Sequence, residues 1–344
     1  MKQINIILVF LILVLTGIPF FLDKQVEETM SYEIEAPIGL VYDEFSNFDQ
    51  FSKWEEFTSA DTATFKKNIK SEEDEIDFAE WKSDNSSVGN GKITIDKAEI
   101  NQSIEYKIEF DAWEGDDLFR INMKQLASGN TGLDVYYLSQ EIPYFYRYFS
   151  FFNNPIKKVE KTLESFNELV KIRLDKERKE GKMNYGEFRV VELDQRLMMA
   201  LKKSSTLHHK DALAKFDEAI TSIYKMLEND EGAYDFDLGF PIVYTIKIDE
   251  EKKERNFFVG ISIEKDFPIK KGLQKVTIPK GEYLLTIHQG PRSKRKNTVQ
   301  LMHNYAKNKK IKLGERELEV FLNDPQETDS LQLKSRIYIP IQSN

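Results

Sequence analysis

The sequence predicts an α+β protein in which an N-terminal transmembrane helix precedes two domains. Three observations lead to this fold class. Residues 4–22 carry no charged side chain and are about as long as a helix that crosses the roughly 30 Å hydrocarbon core. Beyond them, stretches that alternate apolar and polar residues, as strands do, are interrupted by amphipathic stretches typical of helices. In the second half the order strand–helix–strand–strand occurs twice, which predicts an internal repeat.

The composition is that of a globular protein long enough for two cores. The chain has 344 residues, of which 40% are hydrophobic and 31% charged. A net charge of −9 argues against a nucleic-acid partner. The absence of cysteine excludes disulfides, thiol catalysis and a lipoprotein anchor. Because the adjacent pair His208 and His209 cannot converge on one ion, we expect no metal site, and we expect no cofactor.

The apolar N-terminal run has two interpretations. A cleaved secretory signal has a shorter apolar run and a small-residue cleavage site, whereas this run ends in PFFLDK. We therefore favour an uncleaved anchor over residues 1–25, with the signal as the alternative. Lys2 precedes the run and acidic residues follow it. The positive-inside bias then predicts a single-pass membrane protein with a cytoplasmic N-terminus and soluble domains that are periplasmic or extracellular.

Residues 26–181 form the first predicted domain. The stretch MSYEIEAP (30–37) is strand-like, and residues 38–54 have the spacing of one or two short helices. Short alternating strands separated by turns fill residues 62–140. Residues 154–181 form a long amphipathic helix. A curved antiparallel sheet wrapped around this closing helix fits the order.

Residues 186–344 form the second predicted domain. It begins with the strand-like FRVVELDQRLMMALKK, and helices are expected over 210–229 and 297–311. The first helix is followed by the strands FPIVYTIKID and RNFFVGISIE. The strand GEYLLTIHQG then opens the second half, and the second helix is followed by RELEVFLND and LKSRIYIPI. This order gives the duplicated strand–helix–strand–strand unit.

The first domain resembles the START-like (SRPBCC, polyketide cyclase-like) helix-grip family. The matching stretches are IEAPIGLVYDEFSNFDQFSKW (34–54), GNGKITI (89–95) and the closing helix. The resemblance implies a hydrophobic cavity between sheet and helix for lipids, polyketides or other apolar ligands. Trp54 and Trp81 are candidates for its lining, with core packing as the alternative. The family has no uniform catalytic set, so no catalytic residue is assigned.

The second domain resembles the GyrI-like effector-binding domain, which also occurs fused to AraC-type and MerR-type regulators. The matching stretches are GFPIVY (239–244), GEYLLTIHQGP (281–291) and ELEVFLNDP (317–325). In that family the acid of the last stretch faces the ligand cavity, and here it is Glu319. Two departures remove hydroxyl groups, because the family often has tyrosine where this chain has Arg292 and Phe321. No DNA-binding module accompanies the domain.

The resemblance makes Glu319 the main candidate for ligand contact. In ELEVFLNDP, alternation places Glu317, Glu319 and Phe321 on one face of a strand. Burial of a lone carboxylate raises its pKa unless a partner compensates. A cationic, aromatic ligand could be that partner, and cation–π contact could come from Phe321, Tyr283 or Tyr244. A solvated strand carboxylate is the alternative.

Two further stretches also have more than one interpretation. RSKRK (292–296) could bind phosphate or anionic lipid head groups, but a solvated loop before a helix is the favoured interpretation. The aromatic PYFYRYFSFFNNP (143–155) could be a lid over the first cavity, a surface that rests on a bilayer, or an ordinary core strand.

The sequence favours binding over catalysis. The first hypothesis is a membrane-anchored protein with two ligand-cavity domains, for a hydrophobic or amphipathic small molecule that is cationic if Glu319 is its partner. The alternative is a hydrolase or cyclase that acts on small apolar substrates with Glu319 as general base. The hydroxyls missing at positions 292 and 321 weigh against the enzyme. A structural role with filled cavities is the third option.

Overall fold

The computed structural model of the chain contains two compact units. It describes residues 16–48, 51–56, 58–59, 61, 65–70, 77–85, 88–111, 115–148, 155–228, 241–249, 251–263, 272–325 and 327–342. One unit lies within Met1–Leu126 and Asn130–Lys182, and the other comprises Ala127–Gly129 and Met183–Asn344.

The predicted transmembrane helix requires a correction. No helix among the described residues is long and apolar enough to cross a membrane. Of the predicted anchor, residues 1–15 lie outside the described part of the chain. A short 3-10 helix follows over Ile18–Phe20, with Pro19 in its first turn, where the missing N–H of proline is tolerated. The described residues therefore do not show the predicted transmembrane helix or the single-pass membrane location, and the fold class is corrected to α+β with two antiparallel sheets.

The first unit is built on a seven-stranded antiparallel sheet with the order β1-β7-β6-β5-β4-β3-β2. Strands β2 to β7 each pair with their neighbour in the chain, and β1 pairs with β7. Gly129 lies at positive φ in the β6–β7 turn, a conformation that glycine adopts without strain. The strands are β1 (Glu27–Ile34), β2 (Phe65–Lys70), β3 (Asp77–Lys82), β4 (Gly91–Glu99), β5 (Ser103–Phe110), β6 (Asp116–Gln125) and β7 (Thr131–Leu138).

Three helices complete the first unit, namely α1 (Ile38–Phe45), α2 (Phe51–Trp54) and α3 (Pro155–Lys179). The long α3 packs against α1, α2 and β1. Its buried stripe repeats every three or four residues, as helical periodicity requires, and comprises Val159, Leu163, Phe166 and Val170.

The second unit contains an eight-stranded sheet with the order β12-β9-β11-β10-β14-β15-β13-β8. Its strands are β8 (Arg189–Leu193), β9 (Arg196–Thr206), β10 (Ile242–Asp249), β11 (Glu254–Ile263), β12 (Gln274–Ile278), β13 (Gly281–Gln289), β14 (Glu317–Phe321) and β15 (Lys334–Pro340), and its helices are α4 (His209–Glu228) and α5 (Arg295–Lys309).

The order of this sheet is that of two related halves. In each half a long strand is followed by a helix and two further strands, namely β9-α4-β10-β11 and β13-α5-β14-β15, and the halves meet where β10 pairs with β14. The single strand-like stretch predicted at the start of the domain is two strands, β8 and β9. β8 pairs with β13 and β12 pairs with β9, so each short strand joins the long strand of the other half.

Both faces of the eight-stranded sheet are buried. One face packs on the two helices, and we call it the helix face. It carries Val243, Phe257 and Phe321 against α4, and Leu284 and Ile337 against α5. The opposite face has its own apolar cluster, which includes Met198, Tyr244, Tyr283, Leu318 and Tyr338. Because side chains alternate along a strand, successive residues of one strand belong to the clusters on opposite faces of the sheet.

Candidate functional site

Glu319 lies on the helix face in the middle of β14. In the antiparallel register it is opposite Val243 on one side and Ile337 on the other, and both belong to the helix-face clusters. Only 1% of Glu319 is exposed, and Glu317 and Phe321 are also buried. The acid of the ELEVFLNDP stretch is therefore an interior carboxylate.

Arg295, the first residue of α5, bridges the two acids of β14. Its Nε donates to Oε2 of Glu319 at 2.8 Å, and its Nη2 lies 2.9 Å from Oε2 of Glu317. Residues two apart on a strand share a face, so one planar guanidinium can reach both carboxylates. This contact ties the start of α5 to the centre of the sheet.

Three further side chains complete the group, which we call the Glu319 cluster (Arg255, Arg292, Arg295, Glu317, Glu319 and Ser335). Ser335 Oγ donates to Oε1 of Glu319 at 2.8 Å. Nη2 of Arg292 lies 3.5 Å from Oε2 of Glu319, and Nη2 of Arg255 lies 3.4 Å from Oε2 of Glu317. Both carboxylate oxygens of Glu319 therefore have donors.

The arginines reverse the effect of burial on the charge of Glu319. Burial alone raises the pKa of this carboxyl, but the charges of Arg295 and Arg292, with smaller help from the hydrogen bond of Ser335, lower its pKa to about 2. Glu319 is therefore ionised at neutral pH. The chain itself supplies the positive partner that we had expected from a cationic ligand.

Arg292 also lies over two aromatic rings. Its guanidinium carbon is 4.2 Å from the ring centre of Phe216 on α4 and 4.9 Å from that of Phe321. The two rings are themselves 5.3 Å apart. A cation over aromatic faces beside a carboxylate is held by both cation–π attraction and charge. Arg292 thus makes the contacts that a bound cation would make.

His288 lies next to the cluster in a neutral state. Its Nδ1 is 2.8 Å from Oγ1 of Thr298, and its Nε2 is 3.3 Å from the carbonyl oxygen of Pro291. Burial lowers its pKa below the ordinary value for histidine, so it carries no charge at neutral pH.

The sheet separates the residues that the sequence grouped around the ligand. Phe321 lies with Glu319, as expected from alternation. Tyr244 is opposite Leu318 in the register and belongs, with Tyr283, to the cluster on the opposite face. There the hydroxyl of Tyr244 accepts a hydrogen bond from Arg316 at 3.3 Å, and that of Tyr283 donates to the carbonyl of Pro279 at 2.8 Å.

The sequence alone did not identify the arginines of the cluster as site residues. It favoured a solvated loop for RSKRK, but Arg295 is buried and Arg292 has a side chain only 18% exposed, while Lys294 and Lys296 are exposed. The one available signal was the arginine at position 292, where the GyrI-like family often has tyrosine.

In the first unit, the candidate cavity residues make packed aromatic contacts. Trp54 is 2% exposed and meets the rings of Phe45, Phe51 and Phe166 edge-on, at centroid distances of 5.5, 5.1 and 5.3 Å. Trp81 is buried so close to Gly91 that a Cβ there would collide with its ring. The ligand role of both tryptophans and the START-like resemblance stay predictions.

The aromatic stretch 143–155 is described only in part. Tyr144–Tyr146 form a 3-10 helix whose aromatic side chains are exposed, so this part is not a core strand. Residues 149–154 lie outside the described part of the chain.

Comparison with protein families supports the second domain. Residues 186–342 match the model of the GyrI-like small molecule binding domain, which confirms that resemblance. No curated protein matches the chain.

Solved structures with similarity to the chain include a hydrolase encoded by lin2189 from Listeria innocua, at 15% identity and a TM-score of 0.35, over 48% of this chain and 97% of that one. Another is SAV2435 bound to tetraphenylphosphonium, at 14% identity and a TM-score of 0.35, over 46% and 94%. A third is the C-terminal domain of EcmrR, at 15% identity and a TM-score of 0.37, over 46% and 98%. At these scores the likenesses carry no conclusion about the ligand or activity of this chain.

Proposed function

We propose that this protein binds a small amphipathic molecule at the Glu319 cluster of its second unit, the part that matches the GyrI-like small molecule binding domain. The observation that supports this site is a fully buried carboxylate with two arginines and two aromatic rings around it. Small-molecule sites typically combine apolar and aromatic walls with a few placed polar groups. The Glu319 cluster supplies the polar groups, and the rings of Phe216 and Phe321 beside Arg292 supply the aromatic wall.

The same geometry favours binding over general-base catalysis. An efficient general base has a pKa near the working pH, whereas the pKa of Glu319 is lowered to about 2. Its oxygens are already occupied by Arg295, Arg292 and Ser335. An ionised and fully bonded carboxylate is a poor acceptor for a proton from water.

The proposal concerns the second unit alone. Trp54 and Trp81 in the first unit are buried and pack edge-on against Phe166 and Phe110. No ligand is proposed for these rings.

Titration calorimetry of the 344-residue chain with the neutral probe 1-naphthalenemethanol tests the site. We expect saturable binding that Phe216→Leu and Phe321→Leu each weaken about three- to tenfold, since one ring of the pair is lost. Phe257→Leu is the matched control, because Phe257 is equally buried in the same apolar cluster on the helix face and makes none of the described contacts with Arg292. Absence of binding, or equal weakening by the control, would contradict the proposal.

A further inference from the structure

We propose that the Glu319 cluster selects an amphipathic carboxylate, a monoanion with an aromatic or aliphatic body, and that Arg292 binds its charged group. This inference rests on the proposed function and gives its ligand a charge. Three observations lead to it, namely the balance of charge, the unused donors and the position of Arg292.

The cluster has more positive than negative groups. Arg255, Arg292 and Arg295 face Glu317 and Glu319 through the contacts given above, and His288 is neutral. The other charged group described as acting on Arg292 is Asp217 of α4, which is exposed, so solvent screens its effect. Among the described residues, the buried part of the cluster therefore has one uncompensated positive charge.

Two guanidinium groups of the cluster have donors to spare. Nη1 of Arg292 and Nε of Arg255 are buried, and neither has an acceptor among the described residues. Leaving a buried donor without a hydrogen bond costs more free energy when the donor belongs to a charged group. A planar carboxylate matches the fork of a guanidinium and accepts its hydrogen bonds with charge assistance.

A cationic ligand would meet the opposite situation. Arg292 already lies over Phe216 and Phe321 and 3.5 Å from Glu319, so a cation would have to displace it. The displaced site would still contain Arg295, which is bound to both acids of β14. The positive charge of Arg295 would repel the cation, and this repulsion is stronger in a buried site than in water.

The test compares three probes that share one ring system and differ in charge. Calorimetric titration of the 344-residue chain at pH 7 uses 1-naphthoate, neutral 1-naphthalenemethanol and 1-naphthylmethylammonium. We expect naphthoate to bind at least about tenfold more tightly than the ammonium, as complementary charge in a buried site requires. The neutral alcohol should lie between them.

Arg292→Gln separates this residue from the general field of the protein. It should weaken naphthoate about tenfold or more and strengthen the ammonium, because Glu319 and the two rings are released. Arg292→Lys, which keeps the charge and loses the fork, should weaken naphthoate less. Lys294→Gln is the matched control, since it removes one exposed charge from the same turn and should change every affinity less than about twofold.

Each outcome supports or overturns the inference. Binding of the alcohol and the ammonium without a preference for naphthoate would overturn it and leave the proposed function standing. Equal weakening of naphthoate by Arg292→Gln and Lys294→Gln would also overturn it, because the effect would then be one of net charge. If none of the three probes binds, the proposed function fails and this inference fails with it.

Discussion

Each unit of the protein buries a glutamate against an arginine, and the two arrangements differ in what is left over. Glu44 on α1 and Glu319 on β14 are both 1% exposed. In the first unit, Nη1 of Arg173 on α3 lies 2.5 Å from Oε2 of Glu44, and its Nε lies 3.0 Å from Oε1 of Glu177. There two acids share one arginine. In the second unit three arginines surround two acids.

The difference separates a structural tie from a candidate site. Oε1 of Glu44 has no donor among the described residues, and Arg173 is 33% exposed, so water reaches the positive partner. The Glu319 cluster instead has both oxygens of its central acid bonded and two guanidinium donors unused. A spare buried donor can bind an anionic ligand, whereas the tie between α1 and α3 offers none.

Removal of Arg295 should have the largest effect on this comparison. Arg295→Met leaves two buried carboxylates without their shared partner, so we expect a loss of about 3–5 kcal/mol in the stability of the second unit. Hydrogen exchange of peptides that cover β14 measures this loss. The adjacent exposed residue provides the control, because Lys296→Met should change stability by less than about 0.5 kcal/mol. A small effect of Arg295→Met would mean that Arg292 and Arg255 hold the acids without it.

The next largest effect should appear in acid. The folded pKa of Glu319, about 2, lies below the value of 4.5 for an unperturbed glutamate. Its contribution is therefore complete above about pH 4.5 and is lost as the pH falls towards 2, at roughly 1.4 kcal/mol per unit of pKa difference, or about 3 kcal/mol in all. Unfolding by guanidinium chloride at pH 5 and at pH 2.5 should show this loss of stability in the wild type and much less of it in Glu319→Gln.

Asp117 in the first unit should contribute to the acid response with the opposite sign. Burial raises the pKa of Asp117 above its ordinary value, against a smaller lowering by the hydrogen bond from Tyr137. A folded pKa above the unfolded one means that protonation favours the folded state as the pH falls. Asp117→Asn should therefore lose more stability than the wild type between pH 5 and pH 2.5. An equal loss of stability between pH 5 and pH 2.5 in the wild type and in Asp117→Asn would contradict this sign.

These contrasts also show which features the sequence could predict. The stripe on α3 and the common face of Glu319 and Phe321 follow from local periodicity, because helix and strand geometry fix them within a few residues. Periodicity does not decide whether that face of β14 points inward, and only the family resemblance predicted that it does. The separation of Tyr244 from Glu319 depends on the register between β10 and β14, which involves strands far apart in the chain. The inward direction of Arg292 depends on the carboxylates of β14, and composition alone makes RSKRK look like a solvated loop.

Loss of the tie in the first unit should have a smaller effect than loss of Arg295. Arg173→Met leaves Glu44 buried without its partner, but Arg173 is partly hydrated already, so we expect a loss of about 1–3 kcal/mol. Tryptophan fluorescence during unfolding reports on this unit, since Trp54 packs on Phe166 of α3. Lys176→Met on the exposed side of α3 is the control. A loss as large as that of Arg295→Met would remove the distinction between tie and site.

The smallest effect should come from the opposite face of the eight-stranded sheet. Tyr244→Phe removes the hydroxyl that accepts from Arg316, and we expect a cost of about 0.5–1 kcal/mol in stability. It should change the affinity for 1-naphthoate less than about twofold, because Tyr244 belongs to the cluster on the opposite face from Glu319 and Arg292. A loss of affinity equal to that of Arg292→Gln would place the ligand on the face of the sheet that carries Tyr244. The arginines of the Glu319 cluster would then have only a structural role, like the ion pair of Arg173 with Glu44. The two groups would differ in that arginines outnumber acids in one and acids outnumber arginines in the other.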